Sequence, residues 1–137
     1  MNPGGNWTSK FGTIKCVVAQ HSSSMPDGSY GGNPMGFLVK TAEGDFYYAG
    51  DTALTLEMQL IPRWAKLKFA LLPIGDNFTM NVDDAIIASD FIGCNKVIGV
   101  HYDTFGFIEI DHEASKQKFA AKGKELTLLN IGEMIEL

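Results

Sequence analysis

Residues 95–106 read NKVIGVHYDTFG. The first six are a β-branched, apolar run of strand length, and the next residues are a histidine, an aromatic and an aspartate. A strand that ends in His101 and Asp103 places chemistry where rigid backbone gives way to loop. Two other stretches repeat the device. FGTIKCVVAQ predicts a strand over 11–19 that stops at His21, and FYYAG (46–50) predicts one followed at once by Asp51 and Thr52. The buried run LKFALLPIG (67–75) ends in Asp76 and Asn77.

Outward from these strands the pattern alternates. MGFLVKT (35–41) and FYYAG predict a hairpin with Gly44 and Asp45 in its turn. A short helix is expected over 54–61, stopped by Pro62. Asn81 caps a second helix, with Asp83 and Asp84 in its first turn and Ala85, Ala88 and Ile92 on one apolar face, while Ser89 and Asp90 lie off it. Asp111 caps a third over 112–122, and Gly123 follows it. Residues 1–10 read as a loop, and KELTLLN and MIEL as two last short strands. Strands first, then strands separated by helices, predict an α/β layer structure: a sheet with helices on at least one face. In such folds active residues gather beyond the carboxyl ends of strands.

Composition narrows the function classes. The chain has 137 residues, 45% of them hydrophobic and 20% charged, and a formal net charge of -5. That is one ordinary globular domain, residues 1–137, with no linker or repeat. Arg63 is the one arginine and the lysines are scattered, so no basic footprint for nucleic acid is evident. No apolar run approaches the ~20 residues that span a bilayer, and the first ten residues lack a secretory h-region. Cys16 and Cys94, far apart in apolar surroundings, read as buried reduced thiols, and a cytoplasmic location is expected.

His21, Asp51 and His101 are suitable ligands for zinc, manganese or iron, and Asp103 could orient an imidazole from behind. No pair has the local spacing of a metal motif, so a satisfied structural role for these groups stays open. Asp76 and Asn77 could support the rim or touch substrate. Ser22, Ser23 and Ser24 are expected to hold the His21 loop through their hydroxyls. His112 reads as a surface residue, because a protonated imidazole gains nothing at a helix N-terminus. Trp7 and Trp64 read as core or lid packing. SYGGNPMG lacks the Lys and Ser/Thr of a phosphate loop.

Six segments together carry a resemblance: MNPGG (1–5), VVAQHSSS (17–24), YGGNPMGFLV (30–39), YYAGDT (47–52), LLPIGDNFTM (71–80) and GVHYDTF (99–105). In this order they resemble the C-terminal part of a metallo-β-lactamase-fold protein of the UPF0173 metal-dependent hydrolase family. The resemblance implies the C-terminal half of an αββα sandwich, a mixed sheet with helices on one face. It implies that His21 completes the ligand set of one metal, that Asp51 is shared by two metals, and that His101 is the last ligand of the second. Zinc is the expected ion, with manganese or iron as alternatives. The implied activity is attack of a metal-held hydroxide on an ester, amide or phosphoester of a small molecule. Asp76, Asn77 and Asp103 match the family's segments without an assigned role; no general acid stands out, Asp103 and a residue of the absent half being the two candidates.

One departure stands out. The family's H-x-H-x-D-H stretch does not occur, and the three histidines are His21, His101 and His112. The resemblance therefore implies a partial fold with an uncovered apolar sheet face. At ~25 cal/mol per Å², about 500 Å² of apolar surface left wet forfeits on the order of 12 kcal/mol, comparable to a domain's whole stability. Cover is expected from a chain carrying the other half or from copies of this chain in a homo-oligomer; otherwise the product is truncated. The alternative function is a non-catalytic module that has lost a complete metal site.

Overall fold

The expected hairpin is present, and a single sheet grows from it in both directions. The structure, a computed structural model, describes residues 1–137. Strands β1 (Asn6–Ser9), β2 (Gly12–Val18), β3 (Met35–Thr41) and β4 (Asp45–Tyr48) are successive antiparallel neighbours. Strands β5 (Leu67–Pro73), β6 (Lys96–Val100) and β7 (Glu125–Thr127) then add in parallel to give one seven-stranded mixed sheet in chain order. Helices α1 (Val82–Phe91) and α2 (His112–Ala121) make the last two crossovers. Asn81 accepts a hydrogen bond from the Asp84 amide and Asp111 one from the Ala114 amide, so both caps act as their sequences predict.

Several expectations need correcting. Asn6–Ser9 is a strand, not loop; the ladder continues through Gly4 and Gly5, which bond Cys16 by its carbonyl and its amide. The segment after β4 is a 3-10 helix, Leu56–Arg63, and Pro62 lies inside it. Its tighter i→i+3 bonding leaves room for a residue without an amide hydrogen near the end. Of the two tail strands only Glu125–Thr127 pairs, and Met134 is almost fully exposed. Ser89 is fully buried and donates to the Ile86 carbonyl. It lies four residues after Ala85 and three before Ile92, which sets it on the same face as both. Trp7 and Trp64 are partly exposed, and the Lys15 ammonium sits 4.6 Å over the Trp64 ring. Cys16 and Cys94 are free and buried, and burial pushes the Cys94 thiol up.

Strand register sorts the side chains into two faces. Leu38, Tyr47, Ala70, Leu72 and Val97 point to one side and are sealed by α1, Met58, Ile61 and Phe119 in a single core cluster. Phe37, Val39, Phe46, Tyr48, Phe69 and Leu71 point to the other and stay partly exposed. On that side Phe46 and Phe69 stack at 4.9 Å, and the tail residues Ile135 and Leu137 lie beside them. The structure is thus a mixed sheet covered by helices on one face, the arrangement of a metallo-β-lactamase-like sandwich layer.

Candidate metal centre

Direction places the functional side chains. Since β2 and β4 are each antiparallel to β3, and β5 and β6 are parallel to β4, all four run the same way and end on one edge. His21 follows β2, Asp51 follows β4, Asp76 and Asn77 follow β5, and His101 and Asp103 follow β6. The six residues that sequence singles out therefore share one rim.

Within that rim the structure brings two side chains directly together. His101 Nε2 lies 3.7 Å from Asp51 Oδ2, with the aspartate half exposed and the imidazole less so. Donor atoms bound at ~2.0–2.2 Å to one tetrahedral ion sit roughly 3.4 Å apart, so this pair is close to the separation that a shared ion requires. The other ring nitrogen, His101 Nδ1, is buried and has no partner in the chain. His21 Nδ1 is 2.9 Å from the Ser22 carbonyl. A carbonyl only accepts, so Nδ1 carries the proton and Nε2 keeps the lone pair that a metal takes. The His21 and Asp51 loops are laced together through Thr52, which sequence reasoning passes over. Its buried hydroxyl accepts from the Gln20 amide at 2.9 Å and donates to the Ala53 carbonyl, while the Ala53 amide donates to the Gln20 carbonyl. No three His, Cys, Asp or Glu side chains converge tightly enough to hold an ion by themselves. The donors present suit a divalent metal in kind and do not complete its shell.

Backbone conformation marks the same rim. Four non-glycine residues adopt the left-handed region: Asp76 (φ 62°), Asn77 (φ 50°), His101 (φ 57°) and Asp103 (φ 59°). Such conformations are uncommon outside glycine and concentrate where geometry is held for function. Bonds across the loops hold them. The Asn77 amide side chain donates to the Phe107 carbonyl, and the Asp103 amide to the Ile108 carbonyl at 2.9 Å. Gly75 packs so tightly that an added Cβ would come 2.1 Å from the His101 carbonyl oxygen.

Asp103 does not reach back to His101. Its Oδ1 accepts from the Ile110 amide at 3.0 Å, and its Oδ2 meets His112 Nε2 at 2.5 Å. Burial acts to raise the Asp103 carboxyl, but those hydrogen bonds prevail and hold it below its ordinary value. His112, read from sequence as an unengaged surface residue, is thus paired with Asp103, although 46% of its side chain is exposed. Its ring also meets the Tyr102 ring edge-on at 5.6 Å. A nine-residue separation between the partners leaves no local signal to read. The serine hydroxyls expected to hold the His21 loop do not; the Ser22 and Ser23 carbonyls serve instead, the latter taking the Gly31 amide.

Comparison with known proteins places the whole chain in a family. Over all of its 137 residues the chain is 64% identical to a UPF0173 metal-dependent hydrolase of Christiangramia forsetii and 62% identical to one of Flavobacterium johnsoniae. It spans 61% of the length of each of these relatives. The structure of a metallo hydrolase from the archaeon Ignicoccus hospitalis superposes on 98% of the chain with a TM-score of 0.84 at 32% identity, using 58% of its own length. The family model described as Beta-lactamase superfamily domain matches residues 1–102, and the chain belongs to that superfamily.

Proposed function

We propose that this chain carries part of the centre of a metal-dependent hydrolase acting on an ester, amide or phosphoester of a small molecule. His101 Nε2 lying 3.7 Å from Asp51 Oδ2, at the common end of four co-directional strands, is the observation that carries the reading. Asp51 and His101 would hold the ion, and His21, with Nε2 left free, would join them. Zinc is the first choice for two imidazoles and a carboxylate, with manganese or iron as alternatives. Such an ion, when bound, supplies an acidified water and polarises the oxygen of the scissile group. The protein's part is placement: Thr52 fixes the Asp51 loop to the His21 loop, Gly75 lets β5 close on the His101 carbonyl, and Asn77 ties the β5 loop to the β6 loop. Asp76 organises the β5 loop itself, its carbonyl accepting from the Phe78 amide and its own amide donating to the Met80 carbonyl.

The remaining ligands belong to the proposal too. Identity to relatives of greater length supports a chain that is the C-terminal half of the sandwich, with a partner carrying H-x-H-x-D-H or a second copy lying on the open face. A cytoplasmic location is part of the same proposal and rests on composition; no helix is long and apolar enough to cross a membrane. Elemental analysis of the zinc-loaded chain tests the centre. We expect about one ion per chain in the wild type and a clear loss in Asp51→Ala and His101→Ala. Equal metal content in all three ends the reading. Adding a polypeptide with the H-x-H-x-D-H half of a relative is expected to raise hydrolysis of bis(4-nitrophenyl) phosphate or of 4-nitrophenyl esters.

A second reading, a non-catalytic assembly module, draws on the absence of three converging donors and on the apolar open face. It predicts tight self-association with no metal bound, which sedimentation and elemental analysis together decide.

A further inference from the structure

We propose that the helix-covered side of the sheet carries a cleft that binds the phosphate of a small phosphorylated molecule, a site that does not rest on the hydrolase reading. The cleft, of about 420 Å³, is lined by Lys15, Lys40, Arg63 and Trp64 together with Asn6 and Thr13. Three of the chain's eleven lysine and arginine side chains border this one space, and no aspartate or glutamate lines it. In a chain of net charge -5, that concentration creates a local positive field opposed to the overall charge.

Register explains how cations scattered in the sequence meet. Lys15 pairs with Leu38, Thr13 with Lys40 and Asn6 with Lys15 across neighbouring antiparallel strands. Residues directly opposed in a ladder share a face, and residues two apart in a strand do so as well. Leu38 belongs to the core beneath the helices, so all of these side chains point to the helix side. The 3-10 helix Leu56–Arg63 ends there and delivers Arg63 and Trp64 beside them. A second layer on the opposite, open face leaves this cleft uncovered. Lys40 stands at the end of β3 remote from Met35, and β3 runs against β2 and β4, so the cleft lies toward the edge opposite the rim of Asp51 and His101.

Two of the three cations are braced in place. Lys15 Nζ donates to the Gly4 carbonyl at 3.3 Å and sits over the Trp64 ring, while Lys40 Nζ donates to the Trp64 carbonyl at 3.0 Å. One residue therefore steadies both ammonium groups, and each keeps donors for an incoming oxygen. The ion pairs of the chain use Lys116, Lys118, Lys124 and two histidines, so none of the cleft's cations has a carboxylate partner. Arg63 is exposed, and its guanidinium fork matches two oxygens of one phosphate. A phosphate dianion supplies the counter-charge that the chain itself omits. Three cations suit one or two phosphate groups, whereas affinity for nucleic acid is built from many phosphate contacts.

Pyrophosphate is the probe. It is titrated into the metal-free full chain at low ionic strength, with Trp7→Phe leaving Trp64 as the sole indole. We expect a saturable change in Trp64 fluorescence, matched by calorimetry as one site per chain. Arg63→Gln and Lys15→Gln should each weaken binding about 10-fold, since each removes a charge-assisted contact. Lys122→Gln, which removes an exposed cation outside the cleft, should weaken it less than about 2-fold. Thermal unfolding of Arg63→Gln should match wild type, which keeps loss of binding distinct from loss of fold. No saturable signal in wild type, or equal weakening in Lys122→Gln, overturns the site. A thymidine oligonucleotide that binds more tightly than pyrophosphate, and is lost in the same two variants, overturns the small-molecule ligand in favour of nucleic acid. The measurement uses neither metal nor turnover, so its failure leaves the hydrolase reading standing.

Discussion

Leu71 and Leu72 are neighbours in the same strand and differ only in the face to which they point. Leu72 is fully enclosed with Tyr47, Ala70 and α1, whereas Leu71 stands in the row of Phe37, Tyr48 and Ile98 that no helix covers. Both faces are written in the same apolar letters, because a strand buried on two sides and a strand awaiting a second layer have the same composition. The difference teaches that hydrophobic runs specify how much cover a sheet needs, and crossovers decide on which side the chain supplies it. In this chain both α-helices lie on one side.

The largest effects should separate the two faces. Leu72→Ala should cost about 2–5 kcal/mol in denaturant unfolding, through lost transfer energy and a residual cavity. Leu71→Ala should cost under about 1.5 kcal/mol if its face is open to water, since a site already wet leaves no cavity. Equal losses would show that the second face is covered in solution by a partner or a second copy.

Next in size is the rim. Gly75→Ala must displace the His101 carbonyl, so it should cost about 1–3 kcal/mol and weaken zinc binding at the same time. Loss of stability without loss of metal would separate the rim from the site. On the open face, Val39→Lys should change stability by less than about 1 kcal/mol while lowering self-association seen by sedimentation. Unchanged association would place any interface elsewhere.

The smallest effect is electrostatic. The folded Asp103 carboxyl is held below its unfolded value, so its contribution is complete above about pH 4 and disappears as pH falls through the folded value. Asp103→Asn should therefore narrow the gap to wild type in thermal unfolding as the pH is lowered below about 4. A gap that widens in acid would mean that the His112 bond does not hold the carboxylate down. Exposure of both partners keeps this contribution small.

Much of the molecule is legible in its residues. Asn81 and Asp111 announce their helices because capping is local chemistry, and the apolar runs at 35–41, 67–73 and 96–100 announce strands because burial in a sheet needs little else. His21, Asp51, Asp76, Asn77, His101 and Asp103 fall at strand ends by inspection. Two features read differently in the sequence. Asn6–Ser9 reads as loop because an edge strand needs only a neighbour's backbone, and Ser89 reads as polar surface although its spacing from Ala85 and Ile92 sets it on their face.

The sequence by itself determined both α-helices, the central strands with their order and the residue types at one rim, since these depend on neighbours along the chain. Tertiary structure alone decided that Asp103 holds His112 rather than His101, that Thr52 joins two loops, and that one face of the sheet stays open. Those outcomes depend on strand direction and on distances between residues far apart in the chain, which no local pattern encodes.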